Sequence, residues 1–91
     1  MALAPSPVVA LNRAVAVAET GRLEQALALM AQIDGLERYH LLHAARADLL
    51  RRLGRYEEAA DAYRRALELT LNPAERAFLE RKLEELAGAP N

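Results

Sequence analysis

The sequence predicts an all-α fold, and three observations predict it. Of 91 residues, 20 are Ala and 17 are Leu against four Gly and four Pro, a composition ruled by strong helix formers. The β-branched residues number only seven: Val8, Val9, Val15, Val17, Thr20, Ile33 and Thr70, too few to furnish a sheet. Apolar side chains also recur at three- and four-residue spacing along the chain, the period of a helix with one face inward.

Five helices are expected, near 7–20, 22–34, 38–53, 55–71 and 73–87. Val8, Leu11, Val15 and Ala18 form one stripe of the first, with Ala10, Ala14 and Val17 on a second. Pro7 suits its first position because it lacks only an N–H that has no partner there, and Ser6 is placed to cap it. Thr20-Gly21 ends that run. Leu23, Ala26, Leu27, Met30 and Ile33 carry the second helix to Asp34-Gly35. In the third, Leu42, Ala45, Leu49 and Leu53 share a line beside His43, Ala47 and Leu50, stopping at Gly54. Tyr56, Ala59, Ala60, Tyr63, Ala66 and Leu67 continue the pattern in the fourth. Asn72-Pro73 breaks it and starts the fifth, in which Ala77, Phe78 and Leu79 are set against Leu83 and Leu86. Gly88-Ala89-Pro90-Asn91 reads as a frayed end.

This length holds one domain, here residues 1–91, with no room for a catalytic domain beside a regulatory one. Without Cys there is no disulfide framework and no thiolate zinc site, which suits a reducing cytoplasm. The start, Met1-Ala-Leu-Ala-Pro5-Ser-Pro7, has no charged n-region, and no apolar run approaches the roughly 18 residues of a membrane span, so a cytoplasmic location is expected.

The two hairpins repeat each other. Sliding the sequence by 33 residues superposes Arg13 on Arg46, Ala14 on Ala47, Gly21 on Gly54, Arg22 on Arg55, Glu24 on Glu57 and Ala26 on Ala59. Helix-turn-helix units recurring at this period are the mark of a stacked α-α superhelix, with repeat one near 7–36, repeat two near 38–71 and a capping helix near 73–87.

The segment Gly54-Arg-Tyr56-Glu-Glu-Ala59-Ala-Asp-Ala-Tyr63-Arg-Arg-Ala66-Leu67-Glu-Leu69 resembles the second half of the tetratricopeptide repeat. On that resemblance Ala47 and Ala59 sit where the helices of one hairpin cross, since only small side chains let the axes approach to about 8–10 Å, and Tyr63 fills the wider gap toward the next repeat. Gly21, Leu23, Ala26, Met30 and Ile33 take the corresponding places in unit one. Ala10 and His43 stand where the family favours a large aromatic, and its usual proline is missing from unit one and late, as Pro73, in unit two.

A narrower resemblance covers most of the chain. Ser6-Pro-Val-Val-Ala-Leu-Asn-Arg-Ala-Val-Ala-Val-Ala-Glu19, Tyr39-His-Leu-Leu-His-Ala-Ala-Arg-Ala-Asp-Leu-Leu-Arg-Arg-Leu-Gly-Arg55 and Asn72-Pro-Ala-Glu-Arg-Ala-Phe-Leu-Glu-Arg81 resemble the C-terminal tetratricopeptide extension of a group of bacterial extracytoplasmic-function sigma factors. The resemblance implies a fragment of such a factor, a module that supports or regulates transcription initiation. Its partners would be the sigma domains of the same chain, RNA polymerase or a regulatory protein. A free-standing adaptor that captures peptides is the alternative, although the Lys and Asn set of carboxylate-binding repeats is absent.

Catalytic chemistry finds little support. His40 and His43, three residues apart, reach one ligand from a single helix face, but Asp48 lies off that face and no His-Glu-x-x-His pattern occurs. A small metal-dependent enzyme using them is the weakest reading. Ser6, the only serine, is flanked by prolines, and no Gly-rich phosphate loop exists. The chain reads as a non-enzyme without cofactor or metal.

Charge is unevenly spread beneath a net value of −1. Residues 37–55 hold five basic and two acidic side chains (+3), whereas residues 56–91 hold five basic and eight acidic (−3). Helix pairs such as Asp61 with Arg65 and Arg81 with Glu85 are expected on the surface. By the repeat resemblance, Leu41, Ala44, Asp48, Arg51 and Arg52 map onto the inner, partner-binding wall, where the arginines can clamp an acidic segment. The corresponding wall of unit one is apolar: Val8, Leu11, Val15 and Ala18. Several exposed Val and Leu side chains favour association by a few kcal/mol at about 25 cal/mol per Å², so a homodimer through the first helix is expected. Direct nucleic-acid binding is not, because the pI is near 6.1 and no aromatics interleave with the arginines.

Overall fold

A computed structural model describes residues 6–88, and all regular structure among them is helical. The five helices are α1 (Pro7–Glu19), α2 (Leu23–Ala31), α3 (His40–Arg52), α4 (Tyr56–Leu69) and α5 (Pro73–Ala87). The fold class is all-α, as the composition predicts. The uncharged start at Met1–Pro5 and the expected frayed end from Ala89 lie outside the described residues. The chain divides into two compact units after Arg38. In the first, α1 packs on α2; in the second, α3 packs on α4 and α4 on α5.

Each hairpin is built the same way. Three-residue links carry Gly21 and Gly54 at φ 89° and 78°, the left-handed conformation that other residues resist. Beyond the turn, Ala14 and Ala26 in the first unit and Ala47 and Ala59 in the second have no exposed surface at all. An added methylene at any of these sites must displace a neighbour, which is why alanine recurs there. Larger side chains then seal the space between the helices: Met30 in unit one, Leu50 and Tyr63 in unit two. Leu79 alone is buried on α5 and anchors that helix.

The first-helix positions of the repeat begin at Pro7, His40 and Pro73, a strict 33-residue interval. Two of these starts are capped by side chains. Ser6 Oγ accepts from Val9 N at 3.1 Å, and Asn72 Oδ1 accepts from Ala74 N at 2.9 Å and Glu75 N at 3.2 Å. With Pro at the first helical position, each cap supplies an acceptor where the backbone has none.

Several expectations need correction. The second helix ends at Ala31 rather than 34, because Gln32 N and Ile33 N turn to Leu29 O and Met30 O in a tightened last turn. Gly35, at φ 93°, then donates its N–H to Glu37 Oε1 in a local turn. The third helix starts at His40 rather than 38, after an extended Tyr39. The fourth stops at Leu69, since Thr70 is extended and its hydroxyl is taken up by the α4–α5 link. Phe78 does not join Leu79 inside; it is exposed, with Lys82 Nζ 5.5 Å from its ring centre. Asp61 pairs with Arg64 and not Arg65, Arg65 pairs with Glu68, and Lys82, not Arg81, meets Glu85. All three pairs are i,i+3, the shorter reach that these rotamers take, and each is worth only a few tenths of a kcal/mol on so exposed a surface.

Candidate functional site

The third helix presents a stripe of mixed chemistry. Leu41 lies exposed at its start, Ala44 is half-buried one turn on, and Asp48, Arg51 and Arg52 close the stripe in the last two turns. Arg51 and Arg52 are favoured there by the partial negative charge of the helix C-terminus. One carboxylate serves both. Asp48 Oδ1 accepts from Arg51 Nη2 at 2.6 Å, and Asp48 Oδ2 lies 3.0 Å from Arg52 Nε.

The two arginines differ in how they are held. Arg51 also stands beside the hydroxyl of Tyr63, a buried side chain of α4, and its Nε is enclosed without an acceptor among the described residues. Asp48 first, and Tyr63 second, raise its pKa above the ordinary arginine value, so its charge is fixed. Burial raises the Tyr63 pKa, and the neighbouring Arg51 guanidinium opposes that only in part. Arg52 is the outer member, with its side chain 44% exposed. Neither of its terminal nitrogens forms a hydrogen bond among the described residues.

The stripe expected on α1 divides. Val8 and Val15 are exposed, but Leu11 is 5% exposed and Ala18 is equally buried, so those two belong to the core. The reason lies in the arc of the stripe: Leu11 falls on the same flank as fully buried Ala14, whereas Val8 and Val15, seven residues apart, share a line farther out.

The two histidines have different surroundings. His40 Nε2 lies 2.5 Å from Glu75 Oε2, and the same oxygen accepts from Thr70 Oγ1 at 2.9 Å. His43 lines a shallow cleft with Arg46, Glu58, Asp61, Ala62 and Arg65. Among the described residues no three His, Cys, Asp or Glu side chains come together as a metal site. The junction around Glu75 was not foreseen. Arg76 completes it by donating to Leu67 O at 2.7 Å, so α5 is tied to the end of α4 by side chains from both. The signal was present in Asn72-Pro73-Ala74-Glu75, a helix start with Glu at its third position, the pattern of a capping box.

Residues 40–73 match the tetratricopeptide repeat. The protein contains a tetratricopeptide repeat. It runs from the first residue of α3 to the first residue of α5, and its small crossing residues are the buried Ala47 and Ala59. The chain is also 44% identical over 89 residues to an uncharacterized protein of Rhizobium meliloti (strain 1021), a match that covers 97% of this chain and 21% of that protein. The chain thus spans about a fifth of the length of this relative. No solved structure matches it. Among the described residues, no helix is long and apolar enough to cross a membrane.

Proposed function

We propose that this chain is a protein-interaction module, part of the C-terminal tetratricopeptide extension of an extracytoplasmic-function sigma factor, supporting or regulating transcription initiation. A protein-interaction role is what this repeat generally serves. The observation that carries the reading is the α3 stripe, a row of exposed and half-exposed side chains on a rigid repeat whose crossing alanines leave no room for adjustment. Rigid display of this kind lowers the ordering cost of binding. The sigma-factor context rests on the sequence resemblance of the strings on α1, α3 and α5 and accords with a relative several times longer than this chain.

In this reading the partners are the sigma domains of the same chain, RNA polymerase or a regulatory protein. The module biases an active or an inhibited arrangement only as far as it binds the two differently. On the side of α1, exposed Val8 and Val15 favour a second, apolar contact, met by neighbouring protein or by a homodimer through that helix. α5 serves as a cap, because Glu80, one repeat length after Ala47, is an exposed charged residue where a following helix would need alanine.

Deleting the segment from its full gene and reading transcription from the cognate promoter tests the proposal. Output should change severalfold, and unchanged output would reject it.

A further inference from the structure

Between α4 and α5 lies a groove of about 490 Å³. Its floor is apolar, with Tyr56 and Ala60 from α4 and Leu83, Leu86 and Ala87 from α5, each still partly open to solvent. Glu57, Asp61 and Arg64 stand along the α4 side. The repeat register explains the shape. Leu83 falls one repeat length after Leu50, which is only 2% exposed in the packed α3–α4 pair. On α5 the same edge is half-buried, with no further helix over it among the described residues. The α4 wall from Tyr56 to Arg64 runs about 12 Å at about 1.5 Å per residue, room for two to three turns of a helix. Glu80, one repeat length after buried Ala47, keeps a further copy of the repeat from closing this slot, so an occupant must bring a cation to that point.

Charge around the groove is one-sided. In the second unit Asp48, Glu58, Asp61, Glu68 and Glu85 each meet an arginine or lysine, and Glu75 meets His40 and Thr70. Three carboxylates have no such partner among the described residues: Glu57, Glu80 and Glu84. All three border the groove. Glu57 lines it, while Glu80 precedes Leu83 and Glu84 precedes Ala87 by three residues, the spacing that sets side chains next to each other on a helix. Nearby cations leave them unbalanced. Arg64 is held by Asp61 and Arg76 by the carbonyl of Leu67, and Arg81, two residues before Leu83, lies on the opposite side of α5.

We infer that the α4–α5 groove binds a basic amphipathic helix of a partner protein, with its aliphatic stripe on Tyr56, Leu83 and Leu86 and its lysines or arginines on Glu57, Glu80 and Glu84. None of these residues belongs to the α3 stripe, so this second surface goes beyond the interaction reading of α3 and does not depend on it. The competing account is that the three carboxylates are solvated surface charges, with no more pull on a cation than any other exposed glutamate.

The full chain should be titrated with a labelled, acetylated peptide of about 15 residues, long enough to form a helix, that carries leucines three and four residues apart with lysines on either flank. A scrambled peptide of the same composition is the control. The ordered peptide is expected to bind about tenfold more tightly, because only its helix presents an aliphatic stripe between two rows of cations. Glu57→Gln combined with Glu80→Gln should weaken that binding about tenfold while leaving the far-ultraviolet circular dichroism unchanged. Glu19→Gln combined with Glu24→Gln makes the same change of charge in the first unit and should leave binding as it was. Equal binding of the two peptides, no weakening by the groove variant, equal weakening by both double variants, or no binding of the ordered peptide would overturn the inference. Any of those results would leave the deletion experiment above to judge the interaction reading by itself.

Discussion

The two hairpins share a skeleton and differ in what they show to solvent. Both turn on a left-handed glycine, Gly21 or Gly54, and both bury a pair of alanines completely. Yet α1 exposes Val8, Val9 and Val15, whereas α3 exposes Leu41 and an arginine pair bound to one aspartate. The difference teaches which positions the fold dictates. Where helices cross, volume is fixed and only small residues fit; on the outward stripe nothing is fixed, and chemistry is free to follow a partner.

That division can be broken first at the crossings. Ala14→Leu and Ala47→Leu should each destabilise their own hairpin by about 1–3 kcal/mol or more, measured by urea unfolding, because neither site has room for an added side chain. A tolerated leucine at either position would mean that the two hairpins are not built alike. Leu79→Ala should cost about 2–5 kcal/mol and lower amide-exchange protection in α5 while sparing α1 and α2. The caps come next. Asn72→Ala and Ser6→Ala should each cost about 1 kcal/mol, with Asn72 the larger since it accepts from two backbone N–H groups and Ser6 from one.

The smallest expected effect is alkaline. The folded state raises the Tyr63 pKa above its ordinary value of 10.0. Above that pH the unfolded chain releases the phenolic proton before the folded one does. Stability present below pH 10.0 is therefore lost as pH rises through the folded value. Tyr63→Phe should flatten that decline in urea midpoints, and an identical slope in both proteins would contradict the assignment.

Much of the skeleton was legible from residue spacing. Gly21, Gly54 and Pro73, with alanines 14, 26, 47 and 59 in register, give the turns and the crossings, because these positions obey steric rules that sequence states directly. The surface was less legible. Leu11 and Phe78 sit on the margins of their stripes, where a rotation of some tens of degrees about the helix axis decides between core and solvent. Ion pairs follow rotamers rather than spacing, so Asp61 joins Arg64 and not Arg65. Asp48 was placed beside the arginines by the sequence, but its bond to both depends on two side-chain conformations that spacing does not specify. Glu75 was missed as a junction because His40 and Thr70 reach it from other helices' ends.

The comparison is sharpest in a single backbone-amide chemical-shift map, recorded by NMR as a short acetylated peptide bearing two glutamates is titrated into the full chain. Shifts should centre on Leu41, Ala44, Asp48, Arg51 and Arg52, while amides around Val8 and Val15 stay still. A map centred on α1, or spread evenly over both hairpins, would contradict the claim that α3 is the partner-binding face.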